Sequence, residues 1–236
     1  MSRRKIILFF IVEGISDYSA VANALEQIFT SERVVVRITQ GDITSDIYTT
    51  PQNISARITE QIKREMGSAY KPSDFTEVVQ IVDMDGVFIP QENVKYQDSD
   101  DIFYGEDEIL CNNVDNILKR NERKAAILNR LVGLPTVWRT IPYSVYYMSA
   151  NLDHVLHNNS NLPDEDKTAL ADRFAIQYKN NPHGFVDFFF CKQFMVIGDY
   201  NKTWDFIKLD NNSLHRYSNF HLLFSDESKN NNLYHQ

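Results

Sequence analysis

The sequence predicts an α/β fold, a parallel sheet flanked by helices, and two observations carry that expectation. Runs rich in β-branched and apolar residues at Ile6–Val12, Arg33–Thr39 and Glu77–Val82 alternate with stretches of helical period. Strand–helix–strand–helix–strand alternation is the pattern of a right-handed parallel sheet. The first run, IILFFIV, is also apolar without interruption, as expected of a strand covered on both faces.

In chain order, Gly14 ends the first strand, and Ser16 and Asp17 offer N-cap side chains before a helix over Tyr18–Phe29. There Val21, Leu25, Ile28 and Phe29 recur at helical spacing. Arg33–Thr39 is the second strand, and an amphipathic segment follows from about Pro51 to Met66. Glu77–Val82 is the third strand and runs into Asp83-Met84-Asp85-Gly86. The polar text from Ile89 to Asp107, with QDSDD and GEDE, reads as a surface excursion. Asn112–Leu131 reads as a helix and Tyr143–Met148 as a fourth strand leading into Ser149–His154. From Pro163 the pattern is helical and aromatic, so residues 158–236 are expected to form a helical C-terminal region beside a domain of residues 1–157. The tail SDESKNNNLYHQ reads as frayed.

Composition narrows the function classes. Hydrophobic residues make up 43% of the 236, enough for a core. With 24 basic against 32 acidic residues the net charge is −8, unlike a passive nucleic-acid coat, which is normally basic. An enzyme that reaches phosphates through bound metal needs clustered carboxylates and remains compatible with that charge. Cys111 and Cys191 form no CxxC pair, which argues against a disulfide framework or structural zinc and for ordinary thiols in a reducing cytoplasm. The apolar run at the start ends in Glu13 with no small-residue cleavage site. No stretch reaches the ~18 apolar residues of a membrane span, so no membrane partner is expected.

Ligands in open parallel sheets bind beyond the carboxyl ends of the strands. Two strands end in carboxylates there: Ile6–Val12 in Glu13-Gly14, and Glu77–Val82 in Asp83-x-Asp85-Gly86. A DxD pair can supply hard oxygen ligands to Mg²⁺ or Mn²⁺, which keep several waters and accept a substrate phosphate. DxDG also occurs in ordinary turns, where Asp caps the backbone and Gly takes positive φ. The pairing of both strand-end motifs favours the metal reading.

IVEGxxD at Ile11–Asp17 followed by IVDMDG at Ile81–Gly86 resembles the Toprim signature, shared by topoisomerases, primases, small ribonucleases and the OLD and RloB-like nucleases of phage defence. The resemblance covers about residues 5–157. It implies that Glu13 is a general acid/base and metal contact, that Asp83 and Asp85 hold Mg²⁺ or Mn²⁺, and that Asp17 is a further acidic ligand. The segment YYMSANLDHVLH resembles more loosely the last-strand-to-helix motif of defence Toprims, which makes Ser149, Asn151, Asp153 and His154 second-rank candidates. The implied activity is metal-dependent hydrolysis of phosphodiester bonds in DNA or tRNA, in an anti-phage role. The chain lacks a GxxxxGK[ST] motif, so an ATPase of the kind such nucleases work with would be a separate protein; self-association is also compatible. A non-catalytic Toprim-fold binding module and a housekeeping Toprim ribonuclease are the alternatives.

Several other features have two readings. Lys119, Arg120, Arg123 and Lys124 read as a solvated helix face pairing with Glu122 and Asp115, or as a phosphate-tracking patch. Arg3, Arg4 and Lys5 read as a solvated terminus. His154 and His157 have an i, i+3 spacing that can share a metal, although capping or surface roles are commoner. Phe185, Phe188, Phe189, Phe190 and Phe194 read first as core and second as a docking surface for a protein partner.

Overall fold

The structure is a computed structural model and describes residues 6–31 and 34–225. Arg3, Arg4, Lys5, Arg33 and the polar tail beyond Ser225 lie outside the described residues. The strands are β1 (Ile6–Val12), β2 (Val34–Gln40), β3 (Phe75–Asp83), β4 (Val94–Tyr96), β5 (Phe103–Tyr104), β6 (Ile109–Cys111), β7 (Thr136–Val137), β8 (Ile141–Ser149) and β9 (Tyr217–Ser218). The helices are α1 (Ile15–Phe29), α2 (Ile54–Met66), α3 (Val114–Val132), α4 (Leu152–His157), α5 (Asp164–Tyr178), α6 (Pro182–Phe189), α7 (Tyr200–Ile207) and α8 (His221–Ser225).

The central sheet has the order β2-β1-β3-β8-β7. Its four long strands run parallel, while β7 and β9 pair antiparallel with β8. The chain is therefore α/β, with a mostly parallel sheet covered by helices on both faces. Side chains alternate along β1 with the period of two that a strand requires. Leu8, Phe10 and Val12 enter one core with α1, α5, α6 and α8, and Ile7, Phe9 and Ile11 enter the other with α2, α3 and α7.

Two local expectations need correction. The first helix starts at Ile15 rather than Tyr18 because Gly14, not Ser16 or Asp17, occupies the cap. Asp17 sits three residues on and accepts the Gly14 N–H at 2.8 Å, the backward half of a capping box. The polar stretch after DMDG is not a bare excursion: β4, β6 and β5 form a second sheet. It has its own small core of Ile89, Val94, Ile109, Cys111, Ile117 and Leu214, while Asp98, Asp100 and Asp101 stay exposed.

The C-terminal part packs onto the sheet. Met148 and Ser149 of β8 pair with Ser218 and Tyr217. Phe185, Phe189 and Phe194 are buried in the first core and Phe188 packs against it, whereas Phe190 is 39% exposed. Phe185, Phe188, Phe189 and Phe194 thus follow the first of the two readings, core, and Phe190 does not. Among the described residues no helix is long and apolar enough to cross a membrane.

Candidate active site

Four parallel strands deliver their following residues to one edge. Glu13 leaves β1, Asp42 and Thr44 follow β2, Asp83 ends β3, and Ser149 ends β8. The β3–β8 pairing continues past the strands: the Met84 N–H donates to Met148 O at 2.9 Å and the Asp85 N–H to Ala150 O at 2.7 Å. The chain then turns through Asp85 (φ 49) and Gly86 (φ 65), both left-handed. Asp is among the few side chains that tolerate this region, so the DxDG spacing matches the backbone that the turn needs.

Each carboxylate is held by a specific partner. Glu13 Oε1 accepts from the Thr44 hydroxyl at 2.8 Å, and that hydroxyl lies 3.1 Å from Asp42 Oδ1. Asp83 Oδ1 accepts the Leu152 N–H at 2.9 Å, tying β3 to the start of α4. Asp85 Oδ2 lies 2.6 Å from the Lys124 ammonium, which is also 3.5 Å from Glu13 Oε2. Lys124 is fully buried. Arg120 donates to Asp85 O at 2.8 Å and to the Tyr104 hydroxyl at 2.9 Å.

The charges are strongly coupled. Burial pushes Glu13 up to about 8, opposed by Lys124 and reinforced by Asp42 and Asp85. Burial, followed by repulsion from Asp17, Glu13 and Asp85, drives Asp83 well above its ordinary value. Asp17 is raised chiefly by burial, against the Gly14 hydrogen bond that favours its anion. Burial opposes the Asp85 anion as well, but Lys124 and Arg120 outweigh it and hold Asp85 below the ordinary carboxylate range. In return Asp85 and Glu13 hold the Lys124 proton more tightly than usual despite burial.

The basic run on α3 therefore needs correction. Neither Arg120 nor Lys124 pairs with Glu122 or Asp115: Lys124 turns inward to the Asp85 and Glu13 carboxylates, and the half-buried Arg120 bonds the Asp85 carbonyl. Arg123 donates to Ser45 O at 3.1 Å, and only Lys119 of the four is fully exposed. The signal was present in sequence. Lys124 falls on the stripe Ile117, Asn121, Leu128, Leu131 that faces inward, so a surface lysine was the wrong reading. Asp42 and Thr44 were also missed; their place just beyond the second strand was the available signal. Tyr104 had none, because its route to Asp85 runs through the second sheet.

Among the second-rank residues, Asp153 is buried near Asp17 and is raised to about 6 by burial and by that neighbour. Ser149 donates to Asn212 O at 3.1 Å. Asn151 caps α4, accepting the His154 N–H at 2.8 Å. His154 Nδ1 accepts the Ala150 N–H at 3.0 Å, whereas the His157 ring packs edge-on against Phe174. The two imidazoles thus serve different partners.

Among the described residues no group of three or more His, Cys, Asp or Glu side chains is arranged to hold a metal ion. The donor chemistry nevertheless fits a hard divalent cation: the groups are all oxygen donors, with Asp17 buried, Glu13, Asp83 and Asp85 half-buried and Asp42 exposed at the rim, and the five carboxyls outnumber Lys124 and Arg120. Burial first, and repulsion between neighbouring carboxylates second, raise Glu13, Asp17 and Asp83. No protein-family model, no curated protein and no solved structure matches this chain, so the meaning of the cluster rests on its own residues.

Proposed function

We propose that this chain is a Mg²⁺- or Mn²⁺-dependent nuclease of Toprim type, hydrolysing phosphodiester bonds in DNA or tRNA. The observation that supports it is the convergence of the carboxyls of Glu13, Asp83 and Asp85, with Asp17, at the carboxyl edge of a parallel sheet, where Lys124 pairs with only Asp85 and Glu13. Asp83 and Asp85 would hold the divalent ion, with Glu13 and Asp17 beside it. Such an ion, when bound, neutralises phosphate charge and lowers the pKa of a bound water.

The protein's own groups divide the remaining work. Glu13, pushed up to about 8 by burial in the metal-free chain, is suited to give or take a proton at a reacting oxygen. Thr44 fixes its Oε1, and the Leu152 N–H fixes Asp83. Lys124 keeps Asp85 ionised. An anti-phage, cytoplasmic role beside a separate ATPase, with or without self-association, belongs to this proposal and follows from the Toprim resemblance alone.

The test is cleavage of plasmid DNA and total tRNA with Mg²⁺ or Mn²⁺, using Glu13→Gln, Asp83→Asn and Asp85→Asn as controls, with calorimetric metal binding alongside. Asn tolerates the left-handed turn at 85, so D85N removes charge without breaking backbone. We expect cleavage by the wild type and its loss, by at least a hundredfold, in each variant. Metal binding absent from the wild type would overturn the proposal. One observation favours a second reading: Lys124 already supplies a cation to Asp85 and Glu13, as in a non-catalytic binding module whose cluster is structural. Indifference to divalent metal would select it.

A further inference from the structure

Next to the carboxylate cluster lies a cleft of about 690 Å³ whose walls include Phe103, Tyr104, His154, Asn158 and Arg216. That volume falls within the roughly 300–1,000 Å³ of small-ligand sites. The cleft and the cluster are joined through Arg120, which donates to the Tyr104 hydroxyl at 2.9 Å and to the Asp85 carbonyl at 2.8 Å. His154 joins them a second way: its Nδ1 accepts from Ala150, whose carbonyl accepts from Asp85.

The lining is aromatic and polar; its charged members are Arg216 and the exposed Glu106, whose carboxylate disfavours an anionic ligand. Phe103 is 45% exposed, an unusual place for a large ring. The Arg216 guanidinium is tied down, donating through Nε to Val155 O at 3.0 Å and lying 4.7 Å from the Phe194 ring centre. Burial and Arg216 lower His154 to about 4, so the ring is neutral at physiological pH. With Nδ1 accepting, the proton of that neutral ring sits on Nε2, which is therefore a donor. The Asn158 side chain, at the left-handed end of α4, adds an amide that can donate and accept. A flat aromatic face, an amide and a neutral donor suit an uncharged, planar, hydrogen-bonding ligand better than an anion or an aliphatic chain.

We propose that this cleft is a nucleobase subsite, taking one unstacked base of the substrate strand while the adjoining phosphate lies at Glu13, Asp83 and Asp85. The base stacks on Phe103 and meets Asn158 and His154 along its edge. This rests on the nuclease reading for its purpose but is tested without metal. Binding of adenosine, cytidine and uridine is measured by calorimetry in EDTA for the wild type, Phe103→Ala and Asn158→Ala. Phe103 is partly solvent-exposed, so its truncation leaves the buried cores intact.

At least one nucleoside binds the wild type, and Phe103→Ala weakens it roughly tenfold, the size of one base–aromatic stack. No nucleoside binding, or equal binding by wild type and Phe103→Ala, overturns the subsite. Neither result bears on metal binding at the carboxylates, so the subsite and the nuclease reading fail separately. A strand carrying one abasic position, moved along its length, adds a check: wild-type affinity falls at a single position, and uniform affinity refutes the subsite.

Discussion

Lys124 carries the densest electrostatic argument in the protein: its side chain is 1% exposed and faces Asp85 and Glu13. Removing one member of a buried ion pair leaves the other uncompensated, typically at a cost of about 3–5 kcal/mol. Lys124→Met is accordingly expected to lose about that much stability in urea unfolding, and adding Asp85→Asn should restore part of it. An unchanged midpoint in Lys124→Met would refute the coupling. Individual acidic residues were the most legible part of the sequence, because a carboxylate directly after an apolar strand has few places to go except the sheet edge. Glu13, Asp17, Asp83 and Asp85 were all named on that ground or on the Toprim resemblance. Lys124 was not, because four neighbouring cations on α3 read as one surface face, although the helix turns them to different sides.

Among the elements, the β3–α3 passage shows how a local sequence and a distant one make a single turn. Gly86 has φ 65, and a Cβ there would lie 2.5 Å from Leu214 Cδ2 and 2.9 Å from Ile109 Cδ1. Gly86→Ala thus combines left-handed strain with a clash and should cost about 1–3 kcal/mol in chemical denaturation. A cost near zero would mean that Leu214 and Ile109 yield freely. The four long parallel strands of the main sheet were legible within a residue or two, since each is an apolar or β-branched run, whereas the two-residue β7 and β9 were not. The second sheet was not: β4, β5 and β6 span only two or three residues each. Runs that short carry no readable period, and their acidic loops read as solvent.

For the molecule as a whole, pH-dependent stability follows from the carboxyls of the site. Glu13 is raised from 4.5 to about 8 on folding, so between those values the folded state holds a proton that the unfolded chain has released, and stability falls as pH rises. His154 and His221, lowered from 6.5 to about 4 by burial, act oppositely but only below pH 6.5. Asp85, lowered, is ionised throughout this range. Metal-free wild type should therefore lose on the order of a few kcal/mol between pH 6.5 and 8.5, and Glu13→Gln should be flatter over the same interval in thermal melts. Parallel profiles would refute the assignment to Glu13. The same wide-ranging packing governs when the site can exist at all. The Gly86 N–H donates to Ser213 O, and the Tyr147 N–H to Asn219 Oδ1. A ribosome delivers the chain from its N-terminus onward, so the acidic turn at 83–86 emerges long before the residues that brace it. The growing chain thus carries Glu13, Asp17, Asp83 and Asp85 well before Ser213 and Asn219, the residues that brace the turn and its neighbouring strand.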